Sequence, residues 1–468
     1  MANVNTQNEA KLSNRMLEAP INKLIIKLSL PTMVSMLITS IYSLADTFFV
    51  SSLGTNATAA VSVNASLDSI IMMAGSMLAV GANSFIARLL GARKKDGADR
   101  VLSTCWFTAF FFGLGILIIG KIFIVPLVHL LGSTPTCETY AIQYATYILY
   151  AAPFMATSFV MNQCLRAEGS AMLSMIGMGF GGILNCFLDP IFIFRLGFGV
   201  AGASMATAIS KLVSFIILIF PYISRRSVLH LSIRNVKYTK ADVYQVVSVG
   251  SSSLFGTGFQ IISAIVLNRL AGGISDSMLA CIGVSNKIMM FPFGIILGFG
   301  QGFQPVSGYN WGARRFDRVK ASYKFCAWVA IIGGVVMGLA IGIFAQPLIG
   351  LFSRADTELI RLGTLCIRMQ CIVMPIHAWV MVVNMFCGSL GYARGSIILG
   401  MARQGICFLP IVFPLAILLG DKGLCSAQAM ADVLSLVLAI PLYIAVSNLI
   451  KRTELEYVQQ QANPLSEV

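Results

Sequence analysis

Gly91-Ala92-Arg93-Lys94-Lys95-Asp96 returns as Gly312-Ala313-Arg314-Arg315-Phe316-Asp317, at a step of 221. Other pairs keep nearly the same step. Pro153 recurs as Pro375 at a step of 222, and Met205-Ala206 with Ser210 matches Met430-Ala431 with Ser435 at a step of 225. Separate regions that agree this closely point to an internal duplication rather than to chance. Six long apolar segments separate the copies. Six is an even number of crossings, so both copies run in the same direction, which is a parallel repeat.

Outward from these two hexapeptides the chain reads as twelve apolar segments, at roughly 24–50, 58–88, 101–120, 138–165, 172–193, 200–222, 243–270, 279–308, 322–345, 359–388, 396–418 and 424–449. Several are longer than the ~20 residues a helix needs to span, so tilt or kinks are expected. Of the 468 residues, 57% are hydrophobic and only 11% charged. That is too few charges to solvate a soluble domain of this size. The apolar runs are continuous rather than alternating, which disfavours a transmembrane β-barrel. The expected fold is an all-α integral membrane protein, with twelve transmembrane helices in two six-helix lobes related by a parallel internal repeat. The expected parts are an N-terminal segment (1–22), a first lobe (23–222), a basic linker (223–242), a second lobe (243–450) and a frayed polar tail (451–468).

The net charge of +14 is not read as a nucleic-acid footprint, because the basic residues gather in short loops. Arg88, Arg93, Lys94, Lys95 and Arg100 follow the second segment. Arg225, Arg226, Arg234, Lys237 and Lys240 follow the sixth, and Arg314, Arg315, Arg318 and Lys320 follow the eighth. The opposite loops are poorer in charge. The positive-inside rule then puts the even-numbered loops and both termini in the cytoplasm of a multi-pass protein of the bacterial inner membrane. The polar stretch from Met1 to Pro20 lacks the apolar core of a signal peptide. The eleven cysteines form no CxxC or Cys/His pattern, so neither a disulfide framework nor a metal-thiolate site is expected. No GxxxxGK loop offers direct ATP fuel. The three histidines, His129, His230 and His377, are too scattered to suggest nucleophilic chemistry, so an integral-membrane enzyme is a weak alternative.

Carboxylates within membrane segments cost about 2.5–3.5 kcal/mol each, and such residues mark function by default. Asp46, Asp68, Asp189 and Asp432 are the candidates. Counted along their helices at the usual rise per residue, Asp46 and Asp189 both lie in the outer half of the first lobe. Asn185 is one turn before Asp189 on the same face, and Thr207 enters from the outside to a similar depth. Two carboxylates close together in low dielectric cannot both stay ionised cheaply. A proton, or a sodium ion on these hard oxygens, would therefore compete there with a cationic cargo. Asp68 is expected to line the cleft, and Asp432, which stands where Thr207 stands in the first copy, is a candidate secondary site.

The stretches Leu30-Pro31-Thr32, Ser43-Leu44-Ala45-Asp46-Thr47-Phe48-Phe49-Val50, Leu165-Arg166-Ala167-Glu168-Gly169 and Gly300-Gln301-Gly302-Phe303-Gln304-Pro305 through Gly308-Tyr309-Asn310-Trp311-Gly312-Ala313 complete the pattern. With the duplication, the sequence from about 20 to 450 resembles the MATE family of multidrug and toxic compound extruders, nearest its DinF/MepA-like branch. That resemblance implies an antiporter. It would export amphipathic, often cationic drugs in exchange for protons or sodium ions, by alternating access between two rocking lobes and with no prosthetic group. It also implies a cation-responsive pocket at Asp46, Asn185, Asp189 and Thr207, a substrate contact at Asn162 and a bend of the first helix at Pro31.

The second lobe lacks acids in segments seven and ten, where another branch holds its cation; Gln260 and His377 are the polar residues there, both carried as substrate-binding candidates. Lys211 departs from the family pattern. Lying one turn beyond Thr207, it is carried as a substrate-binding candidate, expected to pair with Asp189 or Asp46, to disfavour sodium and cationic drugs, and to favour proton coupling or a zwitterionic or anionic substrate. The partners expected are a small-molecule substrate and the bilayer, with the protein a monomer. A lipid-precursor flippase of the same superfamily is the alternative, disfavoured because the arginines cluster in loops rather than along a cleft.

Overall fold

The computed structural model describes residues 2–133, 135, 137–351 and 357–462. Among these the chain is helical, with no strands. In order, the helices are α1 (Ala2–Glu18), α2 (Ile21–Ser51), α3 (Thr55–Gly91), α4 (Lys95–Ile122), α5 (Ile124–Leu130), α6 (Glu138–Ala167), α7 (Ala171–Pro190), α8 (Gly199–Ile223), α9 (Lys240–Ile274), α10 (Asp276–Gly312), α11 (Phe316–Ile343), α12 (Ala345–Gly350), α13 (Thr357–Ser389), α14 (Ala393–Met401) and α15 (Phe408–Ala462). Short π-helical turns, Ile191–Arg195 and Ala402–Ile406, extend α7 and α14. Eleven helical stretches are long and apolar enough to cross a membrane. The last, Ala393–Ala462, is broken at Gly420, where φ is 54°, so it makes two crossings and completes the twelve expected passes.

The duplication is visible in the backbone. Arg93 and Arg314 both adopt left-handed conformations, at φ 58° and 59°. Each ends its helix with the same closing bonds: Lys94 N donates to Leu89 O, and Arg315 N to Asn310 O, at 2.8 and 2.9 Å. The short helices α5 and α12 are spaced as the two hexapeptides are, and no sequence signal announced either. The last helix corrects the reading of a frayed tail from Lys451, because α15 stays helical through Ala462. Residues 463–468 lie outside the described set.

The lobes meet along α2 against α10 and α3 against α9 and α10. The repeat glycines explain the close approach. A Cβ on Gly91 would run into the carbonyl oxygen of Tyr309, and one on Gly312 would meet that of Arg88, so each repeat glycine faces the carbonyl three residues before the other. Nearby, Thr32 Oγ1 donates to Gly298 O at 2.5 Å, Ser29 Oγ to Phe299 O at 3.1 Å, and Ser84 Oγ to Gly388 O at 2.5 Å. Arg166 Nη1 donates to Gln301 Oε1 at 2.6 Å. These contacts all fall in the half of the molecule nearest the termini.

The N-terminal helix α1 lies across this seam. Arg15 Nη2 donates to Gly169 O in the first lobe. Arg318 Nη2, in the second, donates to Met16 O and Ala19 O at 3.1 and 2.7 Å. The Met16 side chain is fully buried between them.

Candidate functional site

Three of the expected site residues meet directly. Asn185 Nδ2, on α7, donates to Asp189 Oδ1 at 3.2 Å and reaches Thr207 Oγ1 on α8 at 3.3 Å. The α7–α8 approach that allows this depends on Gly181, one turn before Asn185: a Cβ there would collide with Ser214 Oγ of α8. Asp189 is wholly buried and Asn185 nearly so. Asp46 on α2 lies close enough to Asp189 to feel its charge, and Asp68 on α3 is in the same electrostatic reach of Asp46. Tyr144, buried on α6, lies within electrostatic reach of all three aspartates. Of the six spanning helices of the first lobe, only α4 contributes nothing to this cluster.

Among the described residues, four buried oxygens here lack a donor: Asp46 Oδ1, Asp68 Oδ1, Asn185 Oδ1 and Asp189 Oδ2. A buried acceptor left without a donor costs roughly 1–3 kcal/mol, more when charged. A proton, or a cation taking several oxygens, would remove that cost. The donor set, carboxylate, amide and hydroxyl oxygen, suits a hard monovalent ion.

Lys211 corrects one expectation. It forms no ion pair with Asp189 or Asp46. Its Nζ bonds the Tyr42 hydroxyl at 3.3 Å and stands over the Tyr42 ring, 5.2 Å from the centroid. Tyr42 is one turn before Asp46 on α2, so it occupies the position from which the ammonium could otherwise reach that carboxylate. Lys211 still acts on Asp46 and Asp68 through space. Sequence reading missed Tyr42 and Tyr144 because both are ordinary aromatic residues of apolar helices; only their spacing from Asp46 and their depth could have drawn notice.

Among the described residues, the remaining candidates form no hydrogen bond with the cluster. Asn162 is buried and donates to Ser174 O at 3.2 Å, so a cargo would have to displace that bond to touch it. Gln260 on α9 is exposed. Pro31 is buried within α2, between the seam residues Ser29 and Thr32. His377, expected to face the cleft, is 4% exposed. Its Nδ1 stands 3.5 Å from Asp432 Oδ1, and its ring packs on Phe293 at 4.8 Å. Asp432 is in turn held by Arg403 Nε at 2.8 Å, so the acid offered as a secondary site is already neutralised. Cavities of about 570 and 210 Å³ adjoin Tyr238, Val243 and Val247 at the linker, away from the acid cluster.

The family model described as MatE matches residues 31–191 and 252–418, one block in each lobe. The chain belongs to the MatE family. It is a multi-pass membrane transporter, not an enzyme. The multidrug export protein MepA of Staphylococcus haemolyticus is 26% identical over 433 residues, covering 92% of this chain and 95% of that protein. A MATE crystal structure in complex with MaL6 superposes with a TM-score of 0.89 at 25% identity, over 94% of this chain and 99% of the other. The outward-facing conformation of a multidrug resistance MATE transporter of the MOP superfamily gives the same TM-score, identity and coverage. MatE membership, the helical two-lobe fold and these neighbours agree with the family resemblance read from the sequence.

Proposed function

We propose that this MatE protein is an ion-coupled antiporter that exports amphipathic, cationic or zwitterionic drugs, with the N-lobe cluster as its coupling site. The observation carrying this reading is the set of four donorless buried oxygens on Asp46, Asp68, Asn185 and Asp189. In one state they hold the coupling cation, and in the other its release restores negative charge for cargo. Ion and cargo competing for one charge is sufficient for exchange. A proton suits the cluster better than sodium, because the Lys211 ammonium already adds positive charge beside Asp46 and Asp68. A proton moving inward supplies roughly 2.3 kcal/mol per 100 mV and about 1.36 kcal/mol per pH unit. A tenfold gradient of neutral cargo costs about 1.4 kcal/mol. One proton per cycle is therefore enough for a cargo of no net charge, whereas exchange for a monovalent cation moves no net charge and draws on the pH gradient alone.

In this reading both termini face the cytoplasm of a bacterial inner membrane, and the protein works as a monomer without a prosthetic group. The seam contacts then close the cytoplasmic side, which makes this an outward-facing state. Pro31, set among those contacts on α2, serves as the point where the helix bends as the seam opens. Two features support it: the grouping of seam contacts near the termini, and the basic loops on that face.

The test is transport of a fluorescent cation into inside-out vesicles under an imposed pH gradient or sodium gradient. Accumulation driven by the proton gradient and blocked by its collapse is expected. Transport indifferent to both gradients would remove the antiport reading.

A further inference from the structure

The second lobe holds a half-buried cation that the exchange mechanism does not use. Arg403 lies in the π-helical turn after α14, ten residues from the start of that helix, about 15 Å into the membrane. Its side chain points into the lobe, where three other helices meet it. Nε binds Asp432 of α15 at 2.8 Å, the guanidinium lies over the Phe293 ring of α10 at 4.3 Å, and His377 of α13 shares the same carboxylate oxygen.

Only Nε of this fork is engaged. Among the described residues, the two terminal nitrogens form no hydrogen bond, yet the side chain keeps 21% exposure, whereas Asp432 keeps 3%. A guanidinium with two free NH₂ groups is not left against lipid at this depth. Phe293, His377 and Asp432 bring α10, α13 and α15 against it, and a partly free guanidinium at this depth favours a polar space between helices over lipid. The arrangement is that of a prepared anion receptor. Asp432 fixes the plane of the fork and Phe293 supports one face, while four N–H donors remain for a planar bidentate acceptor. A carboxylate matches that geometry.

We infer that Arg403 is a subsite for the carboxylate of an amphipathic cargo, held ready by Asp432 and Phe293. This inference rests on the export reading and assigns the negative end of a zwitterionic cargo its binding residue. The acids of the first lobe accept the positive end of such a molecule and Arg403 accepts the negative end.

Rhodamine 110 and rhodamine 123 provide a matched pair, the second being the methyl ester of the first, so they differ only in a free carboxylate. Binding of each to the full-length protein in detergent is read by fluorescence polarisation. Charge-assisted bonds of this kind predict that the free acid binds about tenfold or more tightly than the ester. In the charge-balanced double variant R403Q/D432N the acid-to-ester ratio should fall to near one. R403K, which keeps the charge but loses the fork and leaves Asp432 partnered, should give an intermediate ratio even if the double variant does not fold.

A wild-type ratio near one, or a ratio that survives in R403Q/D432N or R403K, overturns the subsite. The export reading is scored separately. Gradient-driven transport of the ester with no preference for the acid retires Arg403 alone, whereas neither dye binding nor entering the inside-out vesicles retires both.

Discussion

Asn185 Nδ2 lies 3.2 Å from Asp189 Oδ1 and leaves Asp189 Oδ2 buried with no donor among the described residues. One carboxylate oxygen is thus fixed in place while the other stays free for a migrating ion. Asn185 is placed to orient Asp189 rather than to neutralise it. Asn185→Ala should therefore lower ion-coupled transport about tenfold, since a lost hydrogen bond to a charged group is worth roughly 1.5–3 kcal/mol. Thr207→Ala, which removes a neutral partner, should cost only a few-fold. Initial rates of dye export at several driving pH values would check the order; equal losses would contradict it.

Lys211 and Tyr42 set the charge beside the cluster. Removing the ammonium in Lys211→Gln should tighten binding of a permanent cation several-fold and give sodium a stimulation of transport that the wild type lacks. Tyr42→Phe keeps the charge but frees the ammonium, and should weaken cation binding instead. Binding isotherms with and without sodium separate the two; identical behaviour of Lys211→Gln and wild type would remove Lys211 from the site.

The seam glycines should control which side is closed. Gly91→Leu and Gly312→Leu each place a side chain against a carbonyl of the opposite lobe. Overpacking costs roughly 1–3 kcal/mol, enough to shift a two-state balance about tenfold or more. Spin-label distances across the terminus-bearing face should lengthen in both variants. Unaltered distances would contradict the proposed closure.

Glu168 gives a pH dependence outside the spanning helices. Its Oε2 accepts bonds from Ser227 Oγ, Val228 N and Leu229 N, anchoring the interlobe linker. Burial outweighs those bonds and pushes its carboxyl up to about 7 from an ordinary 4.5. The folded protein therefore holds this proton more tightly than the unfolded chain. The stability it lends is complete below about pH 4.5 and is lost as pH rises toward and through about 7, a change on the order of 3 kcal/mol. Thermal midpoints should fall from pH 5 to pH 8, and Glu168→Gln should flatten that slope. An equal slope in the variant would assign the dependence elsewhere.

The fold was readable because it repeats and because lipid imposes long apolar runs. The two Gly-Ala-Arg hexapeptides, with the Pro153/Pro375 match and six apolar segments between the copies, set the direction and spacing of the lobes, and the backbone of Arg93 and Arg314 repeats accordingly. Among the site residues, Asn185, Asp189 and Thr207 were legible from polar spacing on apolar helices. Partner choice was not legible. Lys211 turned to Tyr42, and Asp432 to Arg403 and His377, because such choices depend on which helices touch, which no local pattern encodes. The packing of α1 across the seam was invisible for the same reason: its polar composition reads as a solvated leader until Met16 is buried.

The central claim is that the N-lobe acids exchange an ion for cargo. Purified protein in liposomes carrying an imposed pH gradient, challenged with a cationic dye, tests it most directly. Dye-triggered collapse of the gradient is expected in the wild type and should be abolished in Asp46→Asn and Asp189→Asn, both of which should still fold. Full collapse in both variants would contradict the account.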